Sequence, residues 1–199
     1  MRKFDLYDRV EAYSGTGKLP PGGYVIGITG AREKRETWGD VLEITFDIAE
    51  GEYEGYFLKQ YRASQFDDKK YKGVHRLNVP MGADPEKDEA TARRFKTDMA
   101  AIESSNPGYA WGWDEASLVG KKCGAVFYEK EYEFKGKSGF FTALYRLMDA
   151  EAIRSGDFAV PEPKLLESKV GLPPLPVPTP LQNEPQYEEE EIDDGELPF

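Results

Sequence analysis

The chain has 199 residues, 39% apolar and 32% charged, enough for one domain with a real core, and its formal net charge of −11 argues at first against a polyanionic partner. A single cysteine, Cys123, excludes an internal disulfide, and a single histidine, His75, excludes a Cys/His zinc cluster. No apolar run approaches the ~20 residues of a membrane span and no apolar leader opens the chain, so the expected setting is the cytoplasm.

In chain order, Gly15-Thr16-Gly17-Lys18 lacks the opening of a phosphate-binding loop and precedes a strand, so it reads as a turn. Tyr24, Ile26 and Ile28 then share one face of a first strand. Leu42, Ile44, Phe46 and Ile48 share one face of a second, with Glu43, Thr45 and Asp47 opposite. A polar turn around residues 32–40 joins them. The aromatic-rich residues 55–62 predict a third strand, and 64–84 a long polar loop. Asp84 is placed to cap a helix with Pro85 in its first turn, and Ala92, Phe95, Met99 and Ile102 give it an apolar stripe, ended by Asn106-Pro107-Gly108. Trp111 and Trp113 flank Gly112 and read as packing this helix onto the barrel. Residues 121–132 and 140–148 predict a closing hairpin, in which Cys123 alternates with Ala125 and Phe127 as a buried small residue. The order β-β-β-α-β-β, with the helix between strands 3 and 4, predicts a mainly β fold: a five-stranded OB-fold barrel. An α+β sandwich shares the pattern.

Eight of the fourteen prolines lie between Pro161 and Pro185, and Tyr187 and Phe199 are the only aromatics beyond Val160. Residues 182–199 hold eight acids and no base, so they carry −8 and the other residues only −3. The chain therefore divides into a nearly neutral folded domain over 1–160, a disordered Pro-rich linker over 161–187 and an acidic tip over 188–199.

Within the domain, residues 56–76 interleave Tyr56, Phe57, Tyr61, Phe66 and Tyr71 with Lys59, Arg62, Lys69, Lys70, Lys72 and Arg76, against only Asp67 and Asp68. Single-stranded nucleic acid offers flat bases and a charged backbone, and this mixture answers both. The closing hairpin repeats it, with Tyr128, Lys130, Phe134, Lys135 and Lys137. Trp38, beside Arg32, Lys34 and Arg35, either stacks on a ligand or folds back on the barrel. The candidate nucleic-acid contacts are Trp38, Lys59, Tyr61, Arg62, Lys69, Lys70, Tyr71, Lys72, Arg76, Tyr128, Lys130, Phe134, Lys135 and Lys137. A second reading, in which the aromatics are core and the lysines a solvated rim, stays open. His75 reads as a surface residue. Asp67-Asp68 has no partner for a metal, and no catalytic residue, metal or cofactor is expected.

The acids of the tip end in Leu197-Pro198-Phe199, with Phe199 carrying the free carboxylate. That arrangement suits a partner pocket with a basic rim: Phe199 fills the pocket, Pro198 limits the entropy lost, and Asp193, Asp194 and Glu196 meet Lys or Arg. The ending resembles the acidic tip of bacterial single-stranded DNA-binding proteins. Asp47-Ile48-Ala49-Glu50-Gly51-Glu52-Tyr53, residues 105–115, Leu118-Val119-Gly120-Lys121 and residues 152–158 resemble the single-stranded DNA-binding proteins of phages infecting Gram-positive bacteria. Gly112 departs from that pattern, standing where an acid or polar residue is usual.

The resemblance implies an OB fold, coating of single-stranded DNA without sequence specificity during phage replication and recombination in the host cytoplasm, and recruitment of replication and recombination proteins through the tip. It implies no catalysis. Two other readings remain: an interaction protein whose acidic tail mimics DNA on a host replication enzyme, and a recombination-annealing factor. Monomer and homodimer both stay open.

Overall fold

The structure is a computed structural model that describes residues 17–166 apart from 66, 83 and 135. Lys135, the linker beyond 166 and the whole acidic tip, with Asp193, Asp194, Glu196, Leu197, Pro198 and Phe199, lie outside the described residues. Five strands, β1 (Gly22–Glu36), β2 (Gly39–Ile48), β3 (Val74–Asn78), β4 (Lys122–Phe134) and β5 (Lys137–Met148), make one antiparallel sheet ordered β3-β2-β1-β4-β5. Helix α1 (Tyr56–Ala63) joins β2 to β3, α2 (Pro85–Ser104) joins β3 to β4, and α3 (Ala150–Ser155) follows β5. A short 3-10 turn, Glu115–Leu118, leads into β4.

The fold is mainly β with a helix between the third and fourth strands, as the sequence predicts. The sheet is not closed: among the described residues β3 pairs only with β2 and β5 only with β4, and α2 lies against both. The long strand β1 holds the sheet together. Its first residues, Gly22 to Gly27, pair with β4, and Ile26 to Glu36 pair with β2, so Ile26 and Gly27 belong to both strand ladders; just outside them Val25 O accepts from Ala49 N, and Ile28 N donates to Lys121 O. A bulge between Ile28 and Gly30 interrupts the β1–β2 ladder, and a Cβ at Gly30 would sit 2.6 Å from Thr45 Oγ1.

The alternation of β2 buries Leu42, Ile44, Phe46 and Ile48 against Ile26, Ile28, Leu77, Cys123, Ala125 and Phe127. Phe46 meets the ring of Phe57 edge-on at 5.4 Å, and α2 adds Met99 and Ile102. Each such fully buried side chain contributes about 1.5–3 kcal/mol. Cys123 is wholly buried, as expected, and burial pushes its thiol up to about 12. The opposite side chains, Val25 and Val126, are covered by Ala150 and Ile153 of α3. Gly124 permits this approach, because a Cβ there would lie 2.6 Å from both Asp149 O and Ile153 Cγ1.

Two elements differ from the sequence expectation. Tyr56–Ala63 form helix α1, where the sequence predicts a third strand over 55–62. Gly55 enters it in the left-handed region at φ 71°, and the carboxylate of Asp47, on β2, accepts the first-turn amides of Phe57 and Leu58 at 2.9 Å each. The third strand lies within the expected polar loop, at Val74–Asn78. Helix α2 follows its sequence signals: Asp84 accepts from Lys87 N at 3.3 Å, and Pro85 opens the first turn.

Candidate nucleic-acid interface

The inward set of β2 leaves Glu43, Thr45 and Asp47 on the opposite face. Register places Arg32 of β1 and Arg76 of β3 on either side of Glu43. Glu43 is only 4% exposed. Its Oε1 accepts from Arg32 Nε at 3.0 Å and also from Nη2, while its Oε2 accepts from Arg76 Nε at 3.0 Å and meets Nη2 at 2.9 Å. Burial pushes this carboxyl up, but the hydrogen bonds and charges of the two guanidiniums outweigh it and hold it below the usual range. The arginine side chains are themselves 69% and 54% exposed, so each keeps N–H donors directed away from Glu43. Two guanidiniums over one carboxylate leave one net positive charge.

Trp38 occupies the turn between β1 and β2 and is 62% exposed, which settles that it does not fold back on the core. Arg35 beside it pairs with Asp40 at 3.2 Å. At the far end of β2, Tyr71 donates its hydroxyl to Phe46 O at 2.8 Å and packs against the core, where burial first and Asp47 second push its pKa up. Its ring meets Tyr61 edge-on at 6.0 Å, and the Lys69 ammonium lies 5.1 Å over the Tyr61 ring. Lys59 donates to Glu54 O at 2.8 Å, and Arg62, Lys70 and Lys72 are exposed. From Phe46, which Tyr71 holds, to Trp38 the strand rise covers about 27 Å. Arg32 and Arg76 lie between.

The hairpin window lies elsewhere. Because β4 leaves β1 at Phe127, residues 128–134 continue with β5 as a ribbon beyond the first residue of β1, whereas Trp38 lies beyond its last. The register therefore separates Lys130, Phe134 and Lys137 from Trp38 and Arg76. Lys130 and Lys137 are exposed, Phe134 is half-buried, and Tyr128 is half-buried with its ring edge-on to Tyr145 at 5.4 Å. Lys164 flanks the ribbon by donating to Glu129 O and accepting from Glu131 N, both at 2.9 Å. Glu129, Glu131 and Glu133 interleave with the ribbon's lysines, so it is less basic than the sheet face.

His75 is no surface residue. Its side chain is 12% exposed, and its Nε2 lies 2.9 Å from Oδ2 of buried Asp98, joining β3 to α2. A cleft of about 640 Å³ opens beside this pair, lined by Arg93, Arg94, Tyr145 and Arg146 but also by Glu86 and Glu89. Among the described residues, no three His, Cys, Asp or Glu gather to hold a metal, and no helix is long and apolar enough to cross a membrane.

The sequence marks Arg76 as a candidate contact but not Arg32 and Glu43 as its partners. It shows the alternation of Glu43 on the second strand but puts Arg32 in a turn and Arg76 in a loop, so the grouping needs the register of β3. Neither a protein-family model nor a curated protein matches the chain.

Proposed function

We propose that this chain binds single-stranded DNA without sequence specificity, as an OB-type domain of the kind its sequence resembles in phage replication and recombination, and that it acts without catalysis. The observation that carries the reading is the outer face of β1, β2 and β3. There Glu43 holds two exposed guanidiniums in fixed positions for phosphate; the exposed indole of Trp38 lies in the turn beyond one end of β2, and the Tyr61–Lys69 pair joins Tyr71 near the other end. The pairing order supports the OB assignment. β1 lies between β2 and β4 as in a Greek-key barrel, and α2 occupies the seam between β3 and β5. The resemblance of the acidic ending supports a second element, recruitment of replication and recombination proteins through Leu197, Pro198 and Phe199.

A fluorescence titration of the full chain with poly-dT at rising salt tests the binding. The logarithm of the affinity should fall linearly with the logarithm of salt concentration, by about 0.7 in slope per phosphate neutralised. Arg32→Gln combined with Arg76→Gln should weaken binding and flatten that slope. No binding at low salt, or binding indifferent to salt, would sink the reading and leave the acidic tail acting alone. Removing the last three residues should leave dT affinity in place and abolish capture of purified replication proteins; capture by the truncated chain would refute the tail's role.

A further inference from the structure

The sequence predicts that Trp111 and Trp113 pack the helix onto the barrel; in the structure their rings lie 6.1 Å apart with planes at 52°, but the two differ in burial. Trp111 is half-buried against the core. Trp113 does touch α2, in an offset stack on Phe95 with planes within 10° and centroids 6.0 Å apart. Yet it is 77% exposed, more than any other large apolar residue described. Its φ of 62° is also the single left-handed value at a non-glycine residue among those described. A bulky side chain in that region costs about 1–3 kcal/mol and persists only where the surroundings impose it.

The surroundings do impose it. Glu103 Oε1 accepts from Trp111 N at 2.7 Å, and the Asp114 carboxylate accepts from Ala116 N at 3.1 Å. Tyr109 and Ser117 share a hydroxyl contact at 2.9 Å, and the Asn106 amide donates to Ile102 O and Lys122 O at 2.7 Å each. Every one of these bonds would survive with glycine at 113, and glycine would relieve the backbone. The indole takes no part in these hydrogen bonds, and its ring contacts with Phe95 and Trp111 are set against the cost of the left-handed backbone.

We propose that the outer face of the Trp113 indole is a stacking platform for a base of single-stranded DNA, with Phe95 as its backing. This rests on the function proposed above and extends the contact surface to the loop between α2 and β4. Scattered exposed apolar residues need no explanation. A strained one, held flat by a second ring, matches what base stacking requires: a rigid π-face whose position is fixed before the ligand arrives. Two cations on the same segments could meet phosphate: exposed Lys96, which follows Phe95 on α2, and Lys121 in the loop, whose ammonium lies 4.6 Å over Tyr109. The nearby acids Glu103 and Asp114 are engaged by backbone amides.

The test uses the full chain, dT oligonucleotides, and the same oligonucleotides carrying 5-bromodeoxyuridine. Trp113→Gly should melt no lower than the unaltered chain, yet bind dT about tenfold more weakly, with an unchanged salt slope because no phosphate contact is lost. Trp113→Phe should restore most of the affinity. Ultraviolet crosslinking of the brominated strand to the unaltered chain should mark Trp113. Unchanged affinity in Trp113→Gly, or no crosslink at Trp113, overturns the platform and leaves DNA binding standing. A fall in Tm of several degrees also overturns it, by making the ring structural. If the unaltered chain binds no dT, the proposed function itself fails.

Discussion

Replacing Glu43 with Gln keeps the shape of the side chain and removes the charge that joins three strands. The carboxylate is 4% exposed and receives both arginines through its two oxygens, so the amide must leave one guanidinium facing an NH2 group. Hydrogen bonds to charged groups contribute about 1.5–3 kcal/mol each, and breaking a fully buried pair costs about 3–5. Here both arginines are more than half exposed and can rehydrate, which brings the expected loss to about 2–3 kcal/mol, or about 5–10 °C in Tm. The pH dependence should change too. Pairing holds the carboxyl below its ordinary value of 4.5, so it favours the folded state above that pH, and the contribution is lost as pH falls further. Thermal melts followed by circular dichroism at pH 7 and along an acid series would show both effects, with a shallower acid limb for the variant. A Glu43→Gln protein melting within about 1 °C of its parent would refute the view that this carboxylate organises the arginine pair.

Glu50 makes a second clamp, accepting from Arg154 Nε at 3.0 Å and Nη2 at 2.9 Å and from Lys122 Nζ at 3.0 Å. These bonds bring its carboxyl down to about 2, so its contribution is complete above 4.5 and vanishes between there and about 2. Glu50→Gln should flatten that part of the acid-unfolding curve, and an unchanged curve would contradict the clamp. Gly124→Ala drives a methyl to 2.6 Å from Asp149 O, a backbone atom that cannot swing aside. Overpacking of this kind costs about 1–3 kcal/mol, so calorimetry should show Tm lower by several degrees, and an unaltered Tm would mean that α3 yields freely.

Where local pattern and tertiary structure agree, the sequence was readable. Leu42 to Ile48 alternate without interruption, Asp84 and Pro85 mark the start of α2, and the closing hairpin needs only its own turn. Helix α1 was hidden because its cap comes from Asp47, ten residues before Phe57, while Tyr56, Phe57 and Tyr61 all favour strands. Strand β3 was hidden because it buries only Leu77 fully. Its polar residues looked like a loop until His75 found Asp98 and Arg76 found Glu43. The candidate site was legible to the same degree. The aromatic and basic residues could be named from composition, but which of them share a face depends on the register of β3 and on how far β4 follows β1.

The two-residue splice in β1 also bears on how the chain assembles. The β1–β2 ladder closes across a tight turn, and β4–β5 does the same, so each zips locally. Joining Gly22–Gly27 to β4 brings together positions about a hundred residues apart, after the loop-closure entropy of everything between has been overcome. Arg32 and Glu43 belong to one of these ribbons, with Arg76 on β3 along its edge, and Lys130 and Lys137 belong to the other. Ile26 and Gly27 thus mark the seam at which the two local ladders meet in one sheet.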